Sequence, residues 1–403
     1  MYQEFFSINR LNVNKSLHGG LVVITAYASI QRQNDTAHSF QQEAIFWYLT
    51  GIEQPDWLVI IDGSTGEEWL VKPEVEEIHE VFDGSLTADR ASEISGIKKV
   101  VSRDEGMALL RKLAKKHSVV YTIDNPPHAD YFNFSLNPAI SANRKVLERI
   151  FNSVVDCQKD IAKLRAIKQS EEIKAIQKAV DLTIEGFNKV KGTLDSAKYE
   201  YELEAEFSYL FKRSGGWNHA YDPIIAAGKN ACTLHYIENN SKIQAKQLVL
   251  MDVGARVGGY AADITRTSIK GTPTKRQQEV HQAVEAAHHD IIKLLEPGLP
   301  VEEYMRSVDE RMKRALKDIG LLKDDNDKDT YRKYFPHAVS HGLGIDVHDS
   351  LGGTRYFQPG MVLTVEPGIY IPEERIGVRI EDDILITETG HRNLSAKLST
   401  ALS

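Results

Sequence analysis

Residues 337–349, HAVSHGLGIDVHD, hold three of the chain's fourteen histidines together with two aspartates and two glycines. Imidazoles and carboxylates at this density can ligate a metal or move protons, and they can also sit idle in a solvated loop. A helical i, i+4 ligand pair from His337 and His341 is disfavoured, because Gly342 and Gly344 break a helix and the HExxH glutamate is missing. Other segments must therefore decide. In LVLMDVGARVGGYAADITRT (248–267), Asp252 and Asp263 lie eleven residues apart on two strand-like arms around Gly258-Gly259. Folding the chain there sets the two carboxylates opposite one another. Like-charge repulsion tolerates that only if one is protonated, cations lie between them, or both face solvent. TVEPGIYI (364–371) carries Glu366 ahead of a Pro-Gly turn. GVRIEDDILIT (377–387) carries Glu381 inside a strand-like run, with Arg379 on the same face. Taken singly, each glutamate reads as an edge or surface residue.

Taken together they describe a site. Asp252, Asp263, Glu366 and Glu381 bring four negative charges, and one imidazole, His341 for preference, completes a hard nitrogen and oxygen set. Burying that set uncompensated is prohibitive, whereas two divalent cations match its charge. The absence of a thiolate favours Mn²⁺, Co²⁺, Fe²⁺ or Zn²⁺. Two such ions roughly 3.5–4 Å apart can hold a bridging hydroxide and polarise a carbonyl, which is the chemistry of hydrolysis. The neighbouring pair His288-His289 has no carboxylate at ligand spacing and reads as solvated side chains on or beside a helix.

The elements that must hold these residues fall into two groups. GLVVITAY (20–27), WLVIIDG (57–63) and EWLVKP (68–73) read as strands, the last two joined by a turn at Gly63–Gly66. A helical period over 103–116 is followed by another strand, HSVVYTID, so the N-terminal part is an α/β domain. The stretch 135–158 has no clean period. After it, Ile173, Ile176, Val180, Ile184 and Phe187 make a helical stripe. We place the domain boundary between 157 and 158, giving domains 1–157 and 158–403. In the second domain Thr274 and Gln277 form a capping box ahead of Val280, Val284, Ala287, Ile291 and Leu295, and Pro297-Gly298 ends that helix. GARVGG lacks the third spaced glycine of a dinucleotide fingerprint.

Composition narrows the class of function. The chain has 403 residues, 42% hydrophobic and 26% charged, with a formal charge of −8 and no basic block, which argues against nucleic acid as a partner. No apolar run approaches the roughly 20 residues of a membrane span, and the N-terminus does not read as a signal peptide. The two cysteines, Cys157 and Cys232, have no ligand spacing. A cytoplasmic enzyme with reduced thiols is the expectation.

MDVGARVGGYAADITRT, HAVSHGLGIDVHD, TVEPGIYI and GVRIEDD together resemble the metal-binding segments of the pita-bread metallopeptidases, the group of aminopeptidase P, prolidase and methionine aminopeptidase. The resemblance runs from about residue 160 to the C-terminus. FQQEAIFWYLTGIEQPDWLVIID (40–62) resembles the amino-terminal domain of aminopeptidase P, which methionine aminopeptidases lack. One departure is Ala338 after His337, where the family usually has glycine. The resemblance implies an α/β N-terminal domain followed by an α+β pita-bread (creatinase/aminopeptidase-like) catalytic domain.

It also implies two divalent ions, foremost Mn²⁺, with Asp252, Asp263, His341, Glu366 and Glu381 as ligands. Glu366 would also take a proton from the bridging hydroxide and pass it to the leaving proline nitrogen. His348 would support the developing oxyanion, while His235 and Arg379 would order the substrate and the groups around it. His337 would line the proline pocket, and Tyr370 would bind substrate beside it. Asp35, eleven residues before Phe46, would help hold the substrate's free amino group, although Asn34-Asp35-Thr36 also has turn chemistry of its own. The activity implied is removal of the first residue of peptides with proline second. The alternatives are a dipeptidase of the prolidase kind and, from a different class, a metal-free peptide-binding module on the same fold. The expected partners are proline-containing peptides and further copies of the chain in a dimer or tetramer, without nucleic acid or membrane.

Overall fold

Strands apolar at nearly every position have no face for water and must lie inside a sheet covered on both sides. Leu21–Thr25 and Leu58–Asp62 are of this kind, and each is buried along its whole length. The computed structural model, which describes residues 3–126, 133–215 and 217–402, places them side by side and antiparallel. The tight turn ending at Gly66, whose φ of +74° suits glycine, returns the chain as Glu67–Val71. Lys99–Val101, Val119–Thr122 and Ser153–Asp156 extend this sheet to six strands by parallel pairing. The segment FQQEAIFWYLT forms helix Ala44–Thr50, in which all seven residues are buried. Glu43 caps its start by accepting from the Phe46 amide, and Gly51 ends it in the left-handed region. Gln42 accepts from the Tyr27 amide and donates to the Ile52 and Gln54 carbonyls. This signature therefore seats a buried helix on the sheet.

The stretch 135–158 is ordered, contrary to its unclear period. It holds helix Pro138–Glu148 and strand Ser153–Asp156, and helix Gln158–Ala166 follows. Only Ile140 and Leu147 of the first helix are buried, too sparse a stripe to read, and its start is set by Asn137 capping the Ala139 amide with Pro138 behind it. The chain divides into two compact units, Met1–Leu164 and Arg165–Ser403. The division lies beyond residue 157 because Gln158–Ala166 begins in the first unit. There Ile161 is buried and Gln158 donates to the Asp124 carbonyl.

The second unit is built on short antiparallel sheets. One orders Ile224–Ala227, Leu248–Val253 and Ile264–Ile269; another orders Val362–Val365, Asp382–Ile386 and His391–Asn393; Gly368–Ile371 pairs with Ile376–Arg379. Helix Glu200–Arg213 packs on Ile224–Ala227 and Lys275–Ile292 on the later strands; Ser170–Lys191 packs on Glu200–Arg213 and on strand Ala255–Val257, and Val301–Asp318 packs on Lys275–Ile292. The Thr274–Gln277 capping box is present, and Val280, Val284, Ala287 and Ile291 are buried in the core. This is the pita-bread architecture. Among the described residues, no helix is long and apolar enough to cross a membrane.

His288 corrects one expectation. It is fully buried, with its Nε2 3.4 Å from Asp382, while only His289 is exposed. Burial, opposed by Asp382, pushes its ring down to about 4. The carboxylate that partners it comes from a strand 94 positions later, outside the reach of local spacing.

Gly254 joins Leu248–Val253 to the strand Ala255–Val257, and a Cβ there would stand 1.8 Å from the Ala262 carbonyl oxygen. Gly254→Ala must push apart two backbones that carry Asp252 and Asp263. We expect a loss of ~1–3 kcal/mol, the usual scale of overpacking, read as a lowered Tm; an unchanged Tm would show that this approach is not a constraint.

Candidate metal centre

Each acidic residue of the candidate site comes from a different backbone segment, and the hydrogen bonding explains their convergence. Asp252 lies on the central strand Leu248–Val253, where its partner in register is Thr265. Asp263 stands two residues before Thr265, immediately ahead of the partner strand Ile264–Ile269. The two carboxylates are thus diagonal neighbours rather than directly opposed as expected. The Gly258-Gly259 turn sets this register through the pairs Val257–Tyr260 and Arg256–Ala261. The Tyr221 hydroxyl sits between the two carboxylates, 2.5 Å from Asp252 and 2.6 Å from Asp263. The Glu381 amide donates to the Thr265 carbonyl, and the Thr265 hydroxyl donates to the Glu381 carboxylate at 2.6 Å. Glu366 follows strand Val362–Val365. That strand is held to the histidine segment by Thr364 donating to the His341 carbonyl and Glu366 donating to the Val339 carbonyl.

The result is one set of facing donors. Ligand atoms of Asp252, Asp263 and Glu381 all lie within 4.8 Å of one another, as do those of His341, Glu366 and Glu381, and Glu381 belongs to both sets. A third such group is Asp263, His341 and His348. The His341 Nε2 is 3.4 Å from both Asp263 and Glu366. A cavity of about 180 Å³ is walled by these residues with His235, His337 and Arg379. His235 lies in a turn after the short 3₁₀ segment Gly228–Cys232. Tyr370 does not line the cavity. Its ring is buried, and its hydroxyl accepts from Arg379 at 2.9 Å and bonds His337 at 2.8 Å. Arg379 in turn donates to Asp252 at 2.5 Å, so an unbroken chain of polar contacts runs from Asp252 to His337. Asp35 lies in the exposed turn of the hairpin formed by Gln31–Gln33 and Thr36–Ala37, in the N-terminal unit.

Electrostatics test whether cations fit. Burial, opposed by His341 and Arg379 but reinforced by Asp263 and Asp252, pushes Glu366 up to about 7. Burial with Asp263, Glu366 and Asp252 pushes Glu381 well above the carboxylate range, and burial raises Asp252 despite Arg379. Burial works against a charged His341 ring, yet Asp263 and Glu366 lift it to about 9. A metal-free site thus holds protons that its carboxylates would ordinarily release. Arg379 is the one guanidinium donating to these four carboxylates among the described residues. Hard oxygen donors with one imidazole and an unmet negative charge fit divalent ions.

Several residues of the site carried no legible signal. Tyr221 and Thr265 have no distinctive neighbours in sequence. Glu200, fully buried, accepts from the Ala227 and Ser241 amides, Asn230 and Tyr236, and so braces the segment carrying His235. Arg165 and Lys168 pair with Asp349, next to His348, and a Cβ on Gly344 would strike the Asp349 carboxylate. Asp383 accepts from the Asp263 amide at 3.1 Å. A buried carboxylate with several donors is recognisable only once the fold brings those donors together.

Clustered hard donors on a pita-bread domain define a metal-dependent peptidase. The chain belongs to metallopeptidase family M24, whose pattern matches residues 174–388, and the aminopeptidase P N-terminal domain matches residues 6–121. It is a hydrolase of that family, and the family implies divalent metal ions. The chain is 32% identical to the Xaa-Pro aminopeptidase of Escherichia coli (strain K12) over 98% of its own length and 95% of that protein. It is 33% identical to Xaa-Pro aminopeptidase 3 of Homo sapiens, over 93% of this chain and 78% of the human one. Among solved structures, aminopeptidase P from E. coli matches with a TM-score of 0.87 at 30% identity, covering 100% of this chain and 96% of that one. Proline aminopeptidase P II from Yersinia pestis matches with a TM-score of 0.85 at 31% identity, covering 100% and 98%.

The raised groups set a pH dependence for the metal-free protein. A group whose folded pKa exceeds its unfolded value stabilises while protonated, and that contribution is lost as pH rises through the folded pKa. Glu366, raised to about 7, has given up most of its contribution by that pH, and His341, raised to about 9, carries the loss onward from there. The lowered His337 and His348 act oppositely, but mainly below the unperturbed histidine value near 6.5. Metal-stripped protein should therefore lose Tm between about pH 7 and 9, and the gain in Tm on adding Mn²⁺ should grow over that range. A metal-free Tm that rises with pH there would contradict this electrostatic picture.

Proposed function

We propose that this chain is an Xaa-Pro aminopeptidase, removing the first residue of peptides whose second residue is proline. The observation that carries the reading is the gathering of four carboxylates and His341 around one cavity with His235, His337, His348 and Arg379 on its wall. Relatives named for this activity align over nearly the whole chain. Asp252, Asp263, His341, Glu366 and Glu381 would hold two divalent ions, foremost Mn²⁺, with Co²⁺, Zn²⁺ or Fe²⁺ as other occupants of the same donors. Such ions would supply Lewis acidity to the scissile carbonyl and acidify water to a nucleophile at neutral pH.

The residues of the chain do the rest. The nitrogen released from an Xaa-Pro bond becomes a basic secondary amine, so it must receive a proton as it leaves. Glu366 is the group for this transfer: one oxygen lies 3.4 Å from His341 and the other 3.7 Å from His337, both at the cavity. It takes the proton from the attacking water and delivers it to the proline nitrogen. Burial pushes His348 down and favours its neutral form, so one ring N–H can donate to the carbonyl oxygen as charge develops there. His235 orients the peptide from the facing turn. His337 faces the proline, with Tyr370 behind it setting its ring through their hydrogen bond. Arg379 fixes Asp252 and Tyr370 together. Asp35 is the group we assign to the free amino end of the substrate. Cytoplasmic residence and assembly into a dimer or tetramer belong to the same proposal. The two free thiols, Cys157 and Cys232, are in keeping with a reducing compartment.

Turnover of an Xaa-Pro-Xaa tripeptide beside the matching Xaa-Pro dipeptide tests the reading. The tripeptide should be the better substrate, activity should vanish on exhaustive dialysis against EDTA, and Mn²⁺ should restore it. Activity confined to the dipeptide would make the enzyme a dipeptidase, and full activity without metal would remove the ions from the scheme. Glu366→Gln should lower kcat by at least ~10²-fold, the scale of general acid–base contributions. Near-normal kcat in a variant that keeps its metals would assign the proton transfer elsewhere.

A further inference from the structure

Beside the metal centre lies a larger cavity, of about 430 Å³, whose wall contains none of the candidate ligands. It shares His337, Ala338 and Ser340 with the catalytic cavity, so the two adjoin along one short segment of backbone. Its interior is made by Tyr304, Phe335 and Phe357 with Met305, Val308 and Leu351. The packing is fixed: the Tyr304 hydroxyl bonds Ser340 at 2.7 Å, and its ring meets Phe357 edge-on at 5.3 Å. The charged residues of the lining, Asp309 and Arg332, are already engaged with Tyr331. Asp309 accepts its hydroxyl at 2.6 Å, and the Arg332 guanidinium lies 5.2 Å from its ring. The volume falls in the range of small-molecule sites, far above a packing defect.

We propose that this cavity is a specificity subsite that takes a bulky apolar side chain of the peptide, from a residue flanking the proline. The proposal rests on the Xaa-Pro reading above, which places the proline against His337, one of the residues both cavities share. The side chain entering is that of the N-terminal residue or of the residue after proline. Either would exchange water for the same aromatic and aliphatic wall. Ala338, standing where the resembled family carries glycine, adds a methyl group to the shared wall.

Two series of peptides distinguish these sources: Xaa-Pro-Gly with Gly, Leu or Phe first, and Ala-Pro-Zaa with Gly, Leu or Phe third. With the Mn²⁺-loaded enzyme, one series should gain roughly 10- to 100-fold in kcat/KM from Gly to Leu or Phe, chiefly through KM, as expected for burying such a side chain. Met305, exposed at the rim, and Leu351, half-buried, line only this cavity. Met305→Asp and Leu351→Trp should each reduce the preference to within about threefold while leaving Ala-Pro-Gly turnover unchanged. A flat profile in both series, or a preference that survives both variants, overturns the subsite. Failure of the wild-type enzyme to cleave Ala-Pro-Gly at all would overturn the Xaa-Pro reading itself and the subsite with it.

Discussion

Four carboxylates around one buried cavity are the constraint to which the second unit is built. Side chains of one sign repel at this distance, and burial removes the water that would screen them. The protein answers with fixed partners for every one: Arg379 on Asp252, the Tyr221 hydroxyl between Asp252 and Asp263, the Thr265 hydroxyl on Glu381, and His341 beside Asp263 and Glu366. The hydroxyls only orient the oxygens, while Arg379 and the raised His341 ring offset part of the charge. The residual charge is what divalent ions match, and a rigid frame of buried strands keeps the donors facing one another.

That rigidity has visible sources. The strand bearing Asp252 and the strands flanking Glu366 and Glu381 are buried along their length and bonded to one another or to the histidine segment through backbone amides. The two loops that complete the cavity have no ladder to hold them, so buried charge does it instead. Glu200 gathers four donors beneath the His235 turn, and Asp349, clamped by Arg165 and Lys168, anchors the segment next to His348. Removing one member of such a buried set strands the others without partners, which costs more than the set contributes in total. The two loop histidines, His235 and His348, are thereby held from beneath by buried polar contacts rather than by a strand ladder.

The amino-terminal unit follows a different logic. Its most recognisable sequence, FQQEAIFWYLTG, is almost entirely buried, and its polar members, Gln42 and Glu43, serve backbone groups of the same unit. A family signature here marks how a helix is seated on a sheet. Asp35, by contrast, lies on an exposed hairpin turn, where nothing about folding requires an aspartate.

Much of this was legible from the residue order. The apolar runs at 21–25 and 58–62, the capping box at Thr274 and the stripe from Ile176 to Phe187 follow from periodicity and local hydrogen bonding, which act over a few residues and need no tertiary partner. The hard donor set could be picked out for a related reason: four acidic residues in or beside apolar, strand-like runs have few stable explanations. What the order of residues left open were relations between distant segments. The Asp252–Asp263 pair turned out diagonal because register is set by the whole ladder and its turn. His288 proved buried because its carboxylate comes from Asp382, on a strand far along the chain. Tyr221, Thr265 and Glu200 became part of the site, and the cavity behind His337 came into being, only when separate elements packed. Residue type and spacing determined which chemistry the chain could support; tertiary structure alone decided which side chains face one another, because contact between remote segments depends on packing that no local pattern encodes.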